Sequence, residues 1–134
     1  MALSKEQRAI ARCYKQPGYF LSTYSARKLG MRTTGNAGGS HNLIVSHGDD
    51  DLPALLRRMG RGLFVTEMMG QGVNGVTGDY SRGAAGFWVE GGEIMFPVQE
   101  ITIAGNLMQM FRDIAWVGAD RYTAGTRSIG SVLI

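Results

Sequence analysis

Cysteine is nearly absent from this sequence. Cys13 stands alone among 134 residues, so no internal disulfide can staple the chain, which fits a reducing cytoplasm. Histidine is almost as scarce, and neither His41 nor His47 belongs to an H-E-x-x-H run, which removes the common helical zinc-peptidase motif from this chain. No apolar run approaches the roughly 18 residues of a membrane-spanning helix, and no signal-peptide pattern opens the chain. Ser22, Ser25 and Ser40 lie in no G-x-S-x-G elbow, so a serine hydrolase has no support. Charge of one sign is also thin, at +3 net. The densest basic spots, Arg57-Arg58-Arg61 and Arg27-Lys28-Arg32, read as a solvated helix end and a loop rather than a phosphate-tracking stripe.

What the chain has in quantity is glycine, 20 residues, within an ordinary globular balance of 44% apolar and 19% charged residues. The length allows one domain. Residues 4–14 read as a helix, with Ser4 and Gln7 as a capping box and Cys13 on its apolar stripe; Pro17-Gly18 ends it. Residues 19–21 and 43–45 are short strand candidates, residues 25–29 a helical turn, and residues 30–41 a loop. The clearest helix follows Asp49-Asp50-Asp51. Leu52, Leu55, Leu56 and Met59 fall at i, i+3, i+4 and i+7, Pro53 is tolerated in the first turn, and Gly60 can take the left-handed cap. Residues 63–69 and 100–104 read as strands, and residues 71–79 as a glycine-punctuated connection with room for one short strand. Asn106 caps a second helix, with Leu107, Met110, Phe111 and Ile114 on one face, and the tail from 119 holds one or two strands. This order predicts an α+β fold: a largely antiparallel β-sheet with two to three helices packed on one side or end.

The most informative stretch is residues 62–107, where glycine turns alternate with short β-rich runs. Gly91-Gly92 supplies the positive φ angles of a tight hairpin. Simple pairing across it sets Glu90 opposite Glu93, Val89 opposite Ile94 and Phe87 opposite Phe96, with Trp88 and Met95 sharing the other face. Both faces are then apolar, which predicts a hairpin buried on both sides.

Chemistry-bearing residues are sparse in this stretch. Gly70-Gln71-Gly72-Val73-Asn74-Gly75 fits G-x-G-x-x-G, but a dinucleotide site needs a helix immediately after it, and Val76-Thr77-Gly78-Asp79 starts one poorly. Turns shaped for close backbone approach explain the glycines better. His41 and His47, with Asp49 nearby, match no standard zinc spacing and are weak metal candidates beside ordinary loop histidines. Asp79-Tyr80-Ser81-Arg82 reads in two ways. Asp79 and Arg82 could form a local salt bridge that shapes the turn, or the segment could be the polar rim of an extended-peptide groove, with Tyr80 and Arg82 setting orientation. Glu67, on the strand before, is either a water-facing edge residue or a buried carboxylate paired with Arg82 or Arg27. Trp88 is an interface-anchor candidate.

The strings TEMMGQGVNGVTGDYSRGAAGFWVEGGEI and PVQEITIAGNL resemble the C-terminal region of the TldD/PmbA family, closest to its PmbA (TldE) type of subunit; YSARKLGM and TGNAGGSHN resemble the segment before it. The resemblance spans residues 18–134 and leaves an N-terminal helix, within residues 1–17, outside it. It implies membership of a two-component zinc metalloprotease, a family first described as modulators of DNA gyrase. The family's zinc-binding His-Glu-His helix lies in the TldD-type subunit, upstream of the matching region. Those subunits also carry a ligating cysteine near the C-terminus, where this sequence has Ser128-Ile129-Gly130. The resemblance therefore implies no catalytic residue and no cofactor in this chain, with zinc held by a TldD-like partner.

The expectation is a non-catalytic part of a peptidase complex that shapes the substrate cavity, with Glu67, Asp79, Tyr80, Arg82 and Trp88 as candidate groove or interface residues. Its partners would be a TldD-like subunit or a second copy, and a peptide substrate, with no specific nucleic acid and no membrane. The alternative is a protein–protein assembly module without a proteolytic role. The apolar end at Ser131-Val132-Leu133-Ile134 suggests a piece or remnant of a longer protein whose core an oligomer completes.

Overall fold

The computed structural model describes residues 19–37 and 39–134. The expected N-terminal helix, its capping box and Cys13 lie outside them. The elements are α1 (Thr23–Lys28), β1 (Leu43–Ile44), α2 (Leu52–Met59), β2 (Arg61–Met69), β3 (Asp79–Glu90), β4 (Glu93–Asn106), α3 (Leu107–Asp113), β5 (Trp116–Val117), β6 (Tyr122–Ala124), β7 (Arg127–Ile129) and β8 (Val132–Leu133). This is the expected α+β class. The strands form three sheets: antiparallel β2-β3-β4, mixed β1-β7-β6 with β1 parallel to β7, and antiparallel β5-β8.

The helix signals act as their chemistry requires. The Asp51 carboxylate accepts from the Ala54 amide at 2.9 Å to open α2, and Gly60 closes it at φ 68°. Leu55 is the buried residue of the helix, which lies against β2. The Asn106 side-chain oxygen accepts from the Met108 amide at 3.1 Å to open α3. Residues 19–21 form no strand. Leu21 is instead clamped, 3% exposed, by Thr34, whose hydroxyl accepts from the Leu21 amide at 2.8 Å and whose amide donates to the Leu21 carbonyl at 3.1 Å. Residues 71–78 also form no strand; a single bridge joins Val73 to Tyr80.

The large hairpin follows the expectation at its turn and departs beyond it. Gly91 and Gly92 have φ of 61° and 83°, and Glu90 pairs with Glu93 and Val89 with Ile94. The register then shifts between Val89 and Trp88, so Trp88 pairs with Phe96 and Phe87 with Pro97. Met95 is the extra residue of a β-bulge, which breaks the alternation that would set Phe87 against Phe96. The hairpin is not buried on both sides either. Val89 is fully buried, but Ile94, Met95 and Phe96 are 47%, 56% and 54% exposed. The reason is topological: β4 pairs only with β3 and is an edge strand. That position also accommodates Pro97, which has no N–H to give to a ladder. Phe87 stacks on Phe64 across β2, with ring centroids 6.5 Å apart.

A second irregularity lies between the pairs Gly86–Val98 and Ala84–Ile101, where Gln99 and Glu100 have no partner and Glu100 takes φ 56°. Gly86 is required beside it, because a Cβ there would collide with the Phe64 carbonyl of β2.

Candidate functional site

In an antiparallel pair, residues directly opposite share a face. The pairs Leu63–Trp88, Met68–Ala84 and Ile103–Arg82 therefore put Leu63, Met68 and Ile103 on one face of the β2-β3-β4 sheet, together with Tyr80. The apolar stripe of α2 (Leu52, Leu55, Leu56 and Met59) covers that face in part. What it leaves open is an apolar groove of about 560 Å³, walled by α2, this sheet face, Met110 of α3 and the tail residues Ser131–Ile134. Leucine and methionine dominate the lining, and Tyr80 supplies a hydroxyl.

The candidate residues divide between this groove and its surroundings. Tyr80 lies in the lining, its hydroxyl 3.9 Å from the Met68 sulfur. Arg82, two residues on, occupies the same face and donates to the Met68 carbonyl (Nη2, 3.3 Å) and the Met69 carbonyl (Nε, 3.4 Å). It thus fastens the end of β2. The salt bridge weighed between Asp79 and Arg82 does not form: the Asp79 carboxylate accepts from the Thr77 hydroxyl at 2.6 Å. Glu67 is exposed and pairs with neither Arg82 nor Arg27; among the described residues the ion pair is Arg58 with Asp50, at 2.7 Å. The β2 irregularity between Val65 and Glu67 explains this. It sets Glu67 opposite Ala85, on the face away from Arg82. Trp88 is half-buried under the Arg61 guanidinium, 5.4 Å from the ring centroid, and is a wall-side anchor rather than a lining residue.

His41 and His47 are exposed on either side of β1, and His47 Nδ1 lies 2.7 Å from the Gly48 carbonyl oxygen. Among the described residues, no three His, Cys, Asp or Glu side chains gather in a metal-holding group, so the residues described do not fit a zinc ion. Among those residues, too, no helix is long and apolar enough to cross a membrane.

The glycine run 70–75 is followed by turn rather than helix. Gly72 is pressed against the backbone of Ser81, whose amide donates to the Gly72 carbonyl at 2.7 Å, and a Cβ at Gly72 would collide with the Ser81 carbonyl. Sequence reasoning missed Asp120. Its carboxylate accepts from the Ser131 hydroxyl at 2.6 Å and the Ser131 amide at 3.1 Å, fixing the tail that closes one side of the groove. Nothing local marks this contact, which joins residues 11 apart across a hairpin.

These features define an α+β domain with an apolar groove over one face of a three-stranded antiparallel sheet. The model of the PmbA/TldA metallopeptidase C-terminal domain matches residues 17–134, and the protein belongs to that family. It is 57% identical over 116 residues to Metalloprotease PmbA of Escherichia coli O157:H7, and 55% identical over 117 residues to the Metalloprotease PmbA homolog of Haemophilus influenzae. Each match covers 87% of this chain and 26% of the relative, so the sequence spans about a quarter of the curated relatives' length. Among solved structures, one from Thermotoga maritima labelled a modulator of a DNA gyrase superposes with a TM-score of 0.78 and 39% identity, over 84% of this chain and 28% of that one. Another with a like label, from Bacteroides thetaiotaomicron, gives 0.77 and 34%, over 85% and 26%.

Proposed function

We propose that this protein is the peptide-docking, non-catalytic part of a PmbA-type metallopeptidase assembly, shaping the cavity in which peptides or unfolded proteins are held. The observation that carries this reading is the apolar groove between α2 and the sheet in a member of a metallopeptidase family. Leucine and methionine walls accept varied apolar side chains, because methionine repacks at small cost. Tyr80 and Arg82 stand in line along β3, so they give one wall of the groove a polar edge. Zinc, if the assembly uses it, would be held by a TldD-like partner in a reducing cytoplasm, since the residues described do not fit it.

Two measurements test this. Elemental mass spectrometry after zinc exposure and desalting is expected to give a stoichiometry near zero, and titration with a fluorescent unstructured peptide is expected to saturate. Val132→Arg puts a charge on the groove wall at a residue 38% exposed, so the fold tolerates it while peptide binding weakens. One tightly bound zinc with peptidase activity in the isolated protein would sink the reading.

A second reading, an assembly module that pairs with a TldD-like subunit or a second copy, draws support from the exposed Ile94, Met95 and Phe96 on β4. Sedimentation that shows a monomer at all concentrations, with and without a TldD-like protein, removes it. The gyrase-modulator label of the structural relatives finds no basic stripe here to support nucleic-acid contact.

A further inference from the structure

The loop between β2 and β3 contains Asn74 followed by Gly75, and its hydrogen bonds bear on the chemistry of that pair. The Asn74 side-chain oxygen accepts from the Val76 amide at 2.9 Å and the Thr77 amide at 3.2 Å. No described residue accepts from the Gly75 amide, and a Cβ built on Gly75 would meet nothing within 4 Å. The loop is open to water; Val76 is 96% exposed. We infer that Asn74–Gly75 is a self-modification site, at which the folded loop promotes conversion of Asn74 to aspartate and isoaspartate.

The step balances without any partner but water. Hydroxide removes the proton from the Gly75 amide, and the nitrogen attacks Cγ of Asn74. The bond from Cγ to Nδ2 of Asn74 breaks and ammonia leaves with a proton from solvent, giving a five-membered succinimide. Water then opens the ring at either carbonyl. In the attack, negative charge develops on the Asn74 side-chain oxygen, where two backbone N–H groups already donate. Preorganised donors at a developing oxyanion lower a barrier. Gly75 adds an unhindered nucleophile, and the peptide unit it shares with Asn74 reaches Cγ once the Asn74 carbonyl lets go of the Gly78 amide.

The product alters the loop. Opening to isoaspartate routes the backbone through the former side chain and adds a carboxylate near Asp79. The Asn74 amide donates to the Asp79 carbonyl and its carbonyl accepts from the Gly78 amide, both at 2.8 Å, so the turn loses its closing bonds. That turn anchors α3. The Leu107 amide donates to the Gly78 carbonyl at 2.7 Å, and Asn106 Nδ2 to the Thr77 carbonyl at 3.0 Å. Conversion therefore loosens α3, and with it the Met110 wall of the groove.

The test ages the 134-residue protein in mildly alkaline buffer at physiological temperature, beside a synthetic peptide of residues 70–80. Conversion is read by fragment mass spectrometry that separates aspartate from isoaspartate. Asn74 is expected to convert before Asn36, Asn42 and Asn106, and faster than in the peptide. Gly75→Ala, which the open space accommodates, is expected to lose the conversion while the fold is kept. Hydrogen exchange over residues 107–113 is expected to rise in aged wild type and stay unchanged in aged Gly75→Ala. An Asn74 that converts no faster than its counterpart in the peptide overturns the site, and conversion without faster exchange overturns the link to α3.

Discussion

At the scale of single residues, backbone geometry decides most of what substitutions would do here. Glu100 holds φ 56° at a bulge of an edge strand, a region that costs an L-residue about 1–2 kcal/mol. Its side chain is exposed and makes no described hydrogen bond, so Glu100→Gly exchanges that strain for the flexibility cost of glycine. A net gain of up to about 1 kcal/mol is expected, read as a higher midpoint in urea. Gly86→Ala runs the other way. The new methyl meets the Phe64 carbonyl between two paired strands, and neither backbone can yield without breaking ladder bonds. A loss of about 1–3 kcal/mol is expected from overpacking, seen as a lower urea midpoint at unchanged slope. Neither position could be assigned from sequence. Glu100 is an unremarkable polar residue there, and Gly86 is one glycine in a protein that has 20.

At the scale of elements, the parts written in local chemistry were legible. Asp51, Pro53, the leucine spacing and Gly60 fix α2 within a few residues, and Gly91-Gly92 with Val89 and Ile94 fixes the hairpin turn. What local chemistry does not write is the bulge. Met95 is as good a strand residue as its neighbours, and nothing in its own chemistry marks it as the one left out of the ladder. The same limit hid the role of Arg82. Its nearest acid in sequence is Asp79, but strand alternation sends the two side chains to opposite faces and brings Arg82 to the β2 carbonyls instead. Asn106 joins the two levels, since it caps α3 and also reaches back to Thr77. Asn106→Ala removes both bonds and is expected to cost about 1–2 kcal/mol. Hydrogen exchange should quicken over residues 107–113 first, whereas uniform quickening over the whole protein would mean that the cap is no more important there than elsewhere.

At the scale of the molecule, the groove and its tail depend on contacts that sequence order conceals. Residues from α2, β2, β3, β4, α3 and the tail meet there, and Tyr80 is the candidate site residue that the fold delivers into the lining. Glu67 and Asp79 face elsewhere, and Trp88 flanks the groove from under Arg61. The tail is held across the groove's end by Asp120, whose two bonds to Ser131 combine with the β5–β8 pairs Trp116–Leu133 and Val117–Val132. Asp120→Ala leaves the half-buried Ser131 hydroxyl and amide without this partner, and a hydrogen bond to a charged acceptor is worth about 1.5–3 kcal/mol. The tail carries Val132, Leu133 and Ile134 into the groove wall, so its release widens the groove as well as destabilising the fold. The two effects separate experimentally. A general loss of stability lowers the urea midpoint and leaves peptide affinity, measured well below that midpoint, unchanged. Loss of the wall weakens affinity at urea concentrations where circular dichroism still shows a folded protein. The second pattern is expected for Asp120→Ala; the first would place the peptide away from the tail, nearer to Tyr80 and α2.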